Sequence, residues 1–204
     1  MLVQYNLDTN GNGHVFNRQK TLIKKASAIQ KIEIADVELL GRILVLDDII
    51  QLSELDCDRY HEAFSHIPMS MTSNPKRVLI LGGGDGILAK ELLKYENIII
   101  DLVDIDNEVI ELSRKYLHCM NHGSLDNERV NLYVEDALKF CRTSKKKYDA
   151  IFADITDPHP NSPSASLLSS SALKTYSLLL NEQGVFALQT DNPQFAPGYN
   201  ERMI

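Results

Sequence analysis

The sequence has few cysteines and no surplus of basic charge, and each shortage narrows what the chain can be. Its 204 residues include three cysteines, Cys57, Cys119 and Cys141, an odd number without CxxC spacing. That argues against a disulfide framework or a zinc site and points to a reducing compartment. Lysine and arginine number 21 against 28 aspartates and glutamates, a formal net charge of −7. A nucleic-acid surface needs a basic stripe, which this balance disfavours, whereas an acidic cleft for a cationic ligand fits it. No apolar run is long enough to span a bilayer, and the N-terminus lacks the basic-then-apolar pattern of a secretory leader. A cytoplasmic protein is expected. Internal repeats and low-complexity tracts are also missing, and 44% hydrophobic residues supply a normal core.

What is present falls into two parts. Residues 1–20 are polar and carry Asn10-Gly11-Asn12-Gly13, which reads either as a hairpin turn or as a loose leader. From Lys24 the pattern is strand-like. Residues 29–34 alternate with period two, 42–46 follow Gly41, and 49–52 follow a turn at Asp47-Asp48. These predict a small antiparallel β domain over residues 1–57. Tyr60, Phe64, Ile67 and Met71 then fall at helical spacing and predict an amphipathic helix over 58–72, broken at Ser73-Asn74-Pro75. Beyond it, apolar runs at 77–81, 98–103, 130–134, 150–153 and 184–188 alternate with helical stretches starting near Gly86, Asn107, Asp136 and Leu167. This alternation predicts an α/β domain over 58–204, a Rossmann-like, methyltransferase-type parallel sheet with helices on both faces. Such sheets bind ligands outside the carboxyl ends of their strands.

The first strand of that sheet runs into Gly82-Gly83-Gly84-Asp85-Gly86, where glycine permits a tight turn and close approach of a ligand to the backbone. Asp104 ends the second strand, about 20 residues on, where an acid can hold the ribose hydroxyls of an adenosine. Asp85 separates cofactor classes. A dinucleotide site presents backbone N–H groups to a pyrophosphate at this point, and a carboxylate there repels phosphate and favours an ammonium or sulfonium. Asp85 also reads as a helix N-cap, a role compatible with the first. Asp136, Asp154 and Asp157 follow the third and fourth strands and are expected to converge with Asp85 and Asp104 on one crevice. Converging carboxylates repel unless a cation lies between them. With the acids on widely separated strands and no loop arranged for octahedral coordination, an organic polycation is favoured over a metal.

Together these motifs resemble the spermidine synthase (polyamine aminopropyltransferase) family over residues from about Lys24 to about Leu188. The resemblance is carried by Leu44-Val45-Leu46-Asp47 through Gln51, Tyr60-His61-Glu62 with His66-Ile67-Pro68, the Gly82–Gly86 turn, and Asp154-Ile155-Thr156-Asp157-Pro158. It implies decarboxylated S-adenosylmethionine as co-substrate, no permanently bound cofactor, and a diamine such as putrescine as acceptor. It also implies that Gln30 and Asp104 contact the nucleoside, that Asp136 and Ala137 sit against the adenine, and that Pro163 borders it. By the same resemblance Asp85 holds the aminopropyl ammonium at the Gly82 and Gly84 turn, and Tyr60 and His61 line the acceptor channel. Asp154 is the implied base, and Asp157 the implied holder of the amine. A homodimer is expected from the N-terminal β unit. Against the resembled family the chain is expected to be short, stopping soon after its fifth strand.

Departures from the family pattern are Cys57, Ile87, Ala137, the loop His159–Ser164 and Ser171-Ala172-Leu173. Two other readings stand beside an aminopropyltransferase. One is a methyltransferase using intact S-adenosylmethionine, whose carboxylate Asp85 would repel. The other is a non-catalytic family member. For His61 the competing role is a buried helix histidine paired with Glu62 or with backbone, and for Tyr60 a core aromatic.

Overall fold

The computed structural model describes residues 1–5, 13–156 and 163–189. An antiparallel sheet comes first, its strands in sequence order: β1 (Leu2–Tyr5), β2 (His14–Ala26), β3 (Lys31–Val37), β4 (Gly41–Leu46) and β5 (Ile49–Ser53). β1 pairs with β2, Tyr5 opposite His14, which favours the hairpin over the loose leader. The turn signal at Asn10-Gly11-Asn12 itself lies outside the described residues. β2 begins well before Lys24, and its mostly exposed side chains explain why no apolar alternation announced it.

β3 is covered on both faces. Ile32 and Ile34 join Leu44, Leu46 and Leu52 on one side, while Ala35 and Val37 join Ile43, Val45 and Tyr5 on the other. Alternation would turn Glu33 to solvent, yet it is only 4% exposed. It is tolerated there because the Tyr5 hydroxyl, Arg18 and Lys24 donate to it at 2.9, 2.6 and 2.8 Å. A buried carboxylate stripped of such partners is strongly destabilising.

Helix α1 (Cys57–Met69) follows. It stops short of residue 72, since past Ser70 the Met71 and Thr72 N–H groups bond three residues back, to Pro68 and Met69, instead of four. The second sheet then forms from β6 (Arg77–Gly82), β7 (Ile99–Asp104), β8 (Val130–Val134), β9 (Tyr148–Asp154) and β10 (Leu180–Leu188). Between them run α2 (Ile87–Leu92), α3 (Asn107–Tyr116), α4 (His118–Asn121), α5 (Ala137–Thr143) and α6 (Ser170–Leu179). All pairings are parallel, in the order β10-β9-β6-β7-β8. Met69, Leu88, Leu92 and Ile110 cover one face; Leu138, Phe140, Ala172 and Tyr176 cover the other.

The topology places the crevice. From β6 the chain steps outward to β7 and β8, then returns past β6 to β9. The direction of travel therefore reverses between β6 and β9, and the helices that follow these strands part there, which opens the sheet's carboxyl edge to a ligand. The first sheet closes this opening from above. Its Ile32, Ile34, Leu44 and Leu46 pack with Ile87, Val109, Leu117 and Met120 of the second domain. That contact brings Gln30, Leu44, Leu46 and Gln51 to the pocket wall. Among the described residues no helix is long and apolar enough to cross a membrane.

Candidate active site

The glycine turn is shaped by what surrounds it. Gly82 ends β6 opposite Asp154 of β9. Its φ is +83°, and a Cβ there would lie 2.0 Å from the Asp154 carbonyl oxygen. The next N–H, of Gly83, donates to that same oxygen at 2.9 Å. Only glycine fits, on sterics and on backbone conformation alike. At Gly84 a Cβ would come within 2.6 Å of the Asp104 carboxylate, and the Gly84 N–H donates to that carboxylate at 2.9 Å. The other Asp104 oxygen accepts from the Asp106 N–H at 2.8 Å. Burial outweighs both hydrogen bonds and raises the Asp104 carboxyl to about 6.

The N-cap of α2 is Gly86, not Asp85 as the sequence suggests; Asp85 stands one residue earlier and faces both the helix start and the pocket. One carboxylate oxygen accepts from the Ile87 N–H at 2.7 Å at the start of α2, and the residue lines the pocket. Asp85, Asp154 and His61 each bring one potential ligand atom to within 4.8 Å of one another. His61 is 3% exposed, with Nδ1 2.6 Å from the Cys57 carbonyl oxygen. A carbonyl can only accept, so Nδ1 carries a proton and donates to it. The backbone partner expected for a structural histidine is therefore present, and so is a nitrogen left over for a ligand.

Of the two pocket carboxyls raised by burial, Asp154 is raised further than Asp104. The Asp154 Oδ2 is sealed from solvent and has no hydrogen-bond partner among the described residues. Burial, and then the negative charge of Asp85, push its carboxyl up to about 7; the neighbouring His61 pulls the other way. A buried anion with an empty acceptor position is stabilised by any cation or N–H donor that enters. The set of one imidazole and two carboxylates has the chemistry to hold an ammonium, and the reach to ligate a divalent cation.

The remaining expected residues are distributed around this centre. Gln30 lines the pocket, and its Nε2 donates to Asp106 at 3.0 Å, which leaves its side-chain Oε1 for a ligand hydroxyl. Asp136 caps α5 through the Lys139 N–H at 2.7 Å, and it lines the pocket beside Ala137. The Tyr60 hydroxyl donates to Gln189 at 2.8 Å, and its ring meets that of His61 edge-on, centroids 4.8 Å apart. Asp157 lies outside the described residues. Pro163 opens a 3-10 turn, Pro163–Leu168, but its side chain lies outside the described part. Gln51, which lines the pocket, was read as part of the motif at 44–51 but given no role, and Gln189 and Asp106 escaped the sequence reading. Asp106 is 3% exposed, caps α3 through the Glu108 N–H, and accepts from Ser27 at 2.7 Å, so it latches the two domains beside Asp104. Its place directly before the helix at Asn107 was the one available signal.

Known proteins match both domains. Residues 57–203 match the family model described as the spermine/spermidine synthase domain, and residues 4–54 match the spermidine synthase tetramerisation domain. A polyamine aminopropyltransferase of Saccharolobus solfataricus is 37% identical over 187 residues, covering 91% of this chain and 62% of that protein. Polyamine aminopropyltransferase 1 of Bacillus cereus is 38% identical over 179 residues, 87% of this chain and 64% of its own length. The chain thus spans a little under two thirds of these relatives. A crystal structure of spermidine synthase in complex with the transition-state analogue AdoDATO superposes with a TM-score of 0.92 at 32% identity, covering 98% of this chain and 68% of the other. The spermidine synthase of Thermotoga maritima gives 0.90 at the same identity, covering 98% and 67%. With both domains matched over nearly their whole extent, the chain belongs to the spermine/spermidine synthase family.

Proposed function

We propose that this chain carries the donor site and the base of a polyamine aminopropyltransferase. It would move the aminopropyl group of decarboxylated S-adenosylmethionine to a diamine such as putrescine, giving spermidine and 5′-methylthioadenosine. The observation that carries this reading is the Asp154 Oδ2, sealed from solvent and without a hydrogen-bond partner among the described residues, beside Asp85 and His61 at the mouth of the glycine turn. The naming of the relatives as polyamine aminopropyltransferases and the transition-state analogue bound to the matched spermidine synthase support it.

In this reading Asp104 and the Gln30 side-chain Oε1 hold the ribose, and Asp136 with Ala137 borders the adenine. Asp85 takes the donor's ammonium. Tyr60 and His61 line the acceptor path, with Asp157 and Asp154 holding the amine. The amine lone pair attacks the carbon next to sulfur; the C–N bond forms as the C–S bond breaks, and its electrons leave sulfur a neutral thioether. Alignment of nitrogen, carbon and sulfur supplies most of the acceleration, since the leaving group is already activated. The new secondary ammonium gives its proton to Asp154. A carboxyl raised to about 7 narrows the gap to an alkylammonium, near 10, from about six pH units to about three.

Binding of intact against decarboxylated S-adenosylmethionine tests the reading. Asp85 repels the carboxylate of the intact donor, so the decarboxylated one should bind more tightly, and the reverse order would favour a methyltransferase. Cys57, Cys119 and Cys141 are all free thiols, which suits a reducing, cytoplasmic setting. The chain is taken as two units, 1–57 for association and 58–204 for chemistry. The tetramerisation-domain match supports a homo-oligomer built through the first unit, with a homodimer as the expected minimum.

A further inference from the structure

We infer that Asn121, with Ser124 beside it, is a positioning residue that fixes Asp85 for the ammonium of the donor. The inference rests on the role of Asp85 proposed above. Asn121 closes α4 and is 1% exposed. Its Nδ2 donates to the Asp85 carbonyl oxygen at 2.9 Å and lies 3.4 Å from the Ser113 carbonyl, while its Oδ1 accepts from the Gly123 N–H at 3.0 Å. The buried carboxamide is thus engaged through both its nitrogen and its oxygen. Ser124, 4% exposed, donates to the next carbonyl, that of Gly86, at 2.5 Å.

Two consecutive carbonyls of the ligand-binding turn are therefore held by one short segment. The need for such a brace follows from the turn's composition. Gly82, Gly83 and Gly86 all adopt positive φ, at 83°, 69° and 82°. Backbone with so little steric restraint does not hold a carboxylate in place by itself. Asp85 is instead clamped twice, its carbonyl by Asn121 and one carboxylate oxygen by the Ile87 N–H, which leaves its second oxygen for a ligand. The bracing segment bends to reach it. His122 and Gly123 sit in left-handed conformations, φ 52° and 75°, directly between Asn121 and Ser124.

A brace of the fold and a brace of Asp85 predict different things. Losing the first weakens every ligand alike, whereas losing the second weakens only a ligand whose ammonium Asp85 meets. The experiment is calorimetric titration of the full chain, wild type, Asn121→Ala and Ser124→Ala, with decarboxylated S-adenosylmethionine and with 5′-methylthioadenosine, which lacks the ammonium. Equal affinity of the wild type for both overturns the role of Asp85 itself, and the inference with it. Given a wild-type preference for the ammonium-bearing donor, Asn121→Ala should lose about fivefold or more of it while methylthioadenosine binding stays within about twofold. Ser124→Ala should shift the preference the same way by less, because the Gly86 carbonyl keeps its bond from the Lys90 N–H. It also carries the test if Asn121→Ala fails to melt cooperatively. Equal weakening of both ligands, or an unchanged preference, overturns the positioning role.

Discussion

The Gly83 N–H donates to the Asp154 carbonyl oxygen at 2.9 Å, so the glycine turn is tied directly to the backbone of the proposed base. The proposed donor and acceptor sites are therefore linked by a backbone hydrogen bond across the β6–β9 switch. Two glycines of the turn separate the structural demand from the ligand demand. Gly82→Ala combines positive φ with a backbone clash against Asp154, and should destabilise the fold by about 3 kcal/mol or more. At Gly84 no positive φ is involved, and the added methyl presses on the Asp104 carboxylate instead. Gly84→Ala should keep most of its melting temperature and lose about tenfold in methylthioadenosine affinity. Thermal melting and titration of both variants check this; a reversed pattern contradicts it.

Asp154→Asn keeps the shape of the buried group and removes its basicity. Turnover should fall by about a hundredfold or more, with donor affinity changed far less. Single-turnover rates set beside donor affinities measure the two separately. Equal losses in both would remove Asp154 from the role of base.

Asp85→Asn should weaken decarboxylated S-adenosylmethionine by about tenfold and leave methylthioadenosine within about twofold. The His61, Asp85 and Asp154 set can reach a divalent cation, so a chelator belongs in the same titration. EDTA should leave donor affinity and turnover unchanged. Loss of activity that added metal restores would replace the ammonium with a metal in this account.

Asp104 and Asp154 carry carboxyls raised to about 6 and about 7, above the ordinary 3.8 of the unfolded chain. The folded state therefore holds protons that the unfolded state has released. Their contribution to stability is full below about pH 4, falls progressively above it, and is gone once the pH has risen through 6 and 7. Melting temperature without ligand should decline over that range because of these two groups, and Asp154→Asn should make the decline shallower. A cationic donor favours the ionised forms, so its affinity should rise over the same range. Parallel melting curves for wild type and Asp154→Asn would contradict the buried position of this carboxyl.

Much of this site was legible in the sequence because its parts carry local signatures. Glycine at Gly82–Gly86 and acids at the strand ends need no tertiary information, and Asp85, Asp104, Asp136 and Asp154 all reach the pocket as expected. The second sheet was legible for the same reason, since buried parallel strands are continuous apolar runs. What escaped depends on partners distant in sequence. β2 is polar because most of its side chains face solvent, and Glu33 is buried only because Arg18, Lys24 and Tyr5 come to it. The Asn121 brace ends on a backbone carbonyl, a group that every residue has and that leaves no mark in the sequence.

The central claim is that this acidic crevice aligns an amine with an ammonium-bearing sulfonium. Product analysis of the chain incubated with decarboxylated S-adenosylmethionine and putrescine tests it most directly. The account predicts spermidine and 5′-methylthioadenosine in equal amounts, with none of either when putrescine is withheld. Appearance of S-adenosylhomocysteine from the intact donor in place of these products, or tight donor binding with no product at all, would contradict it.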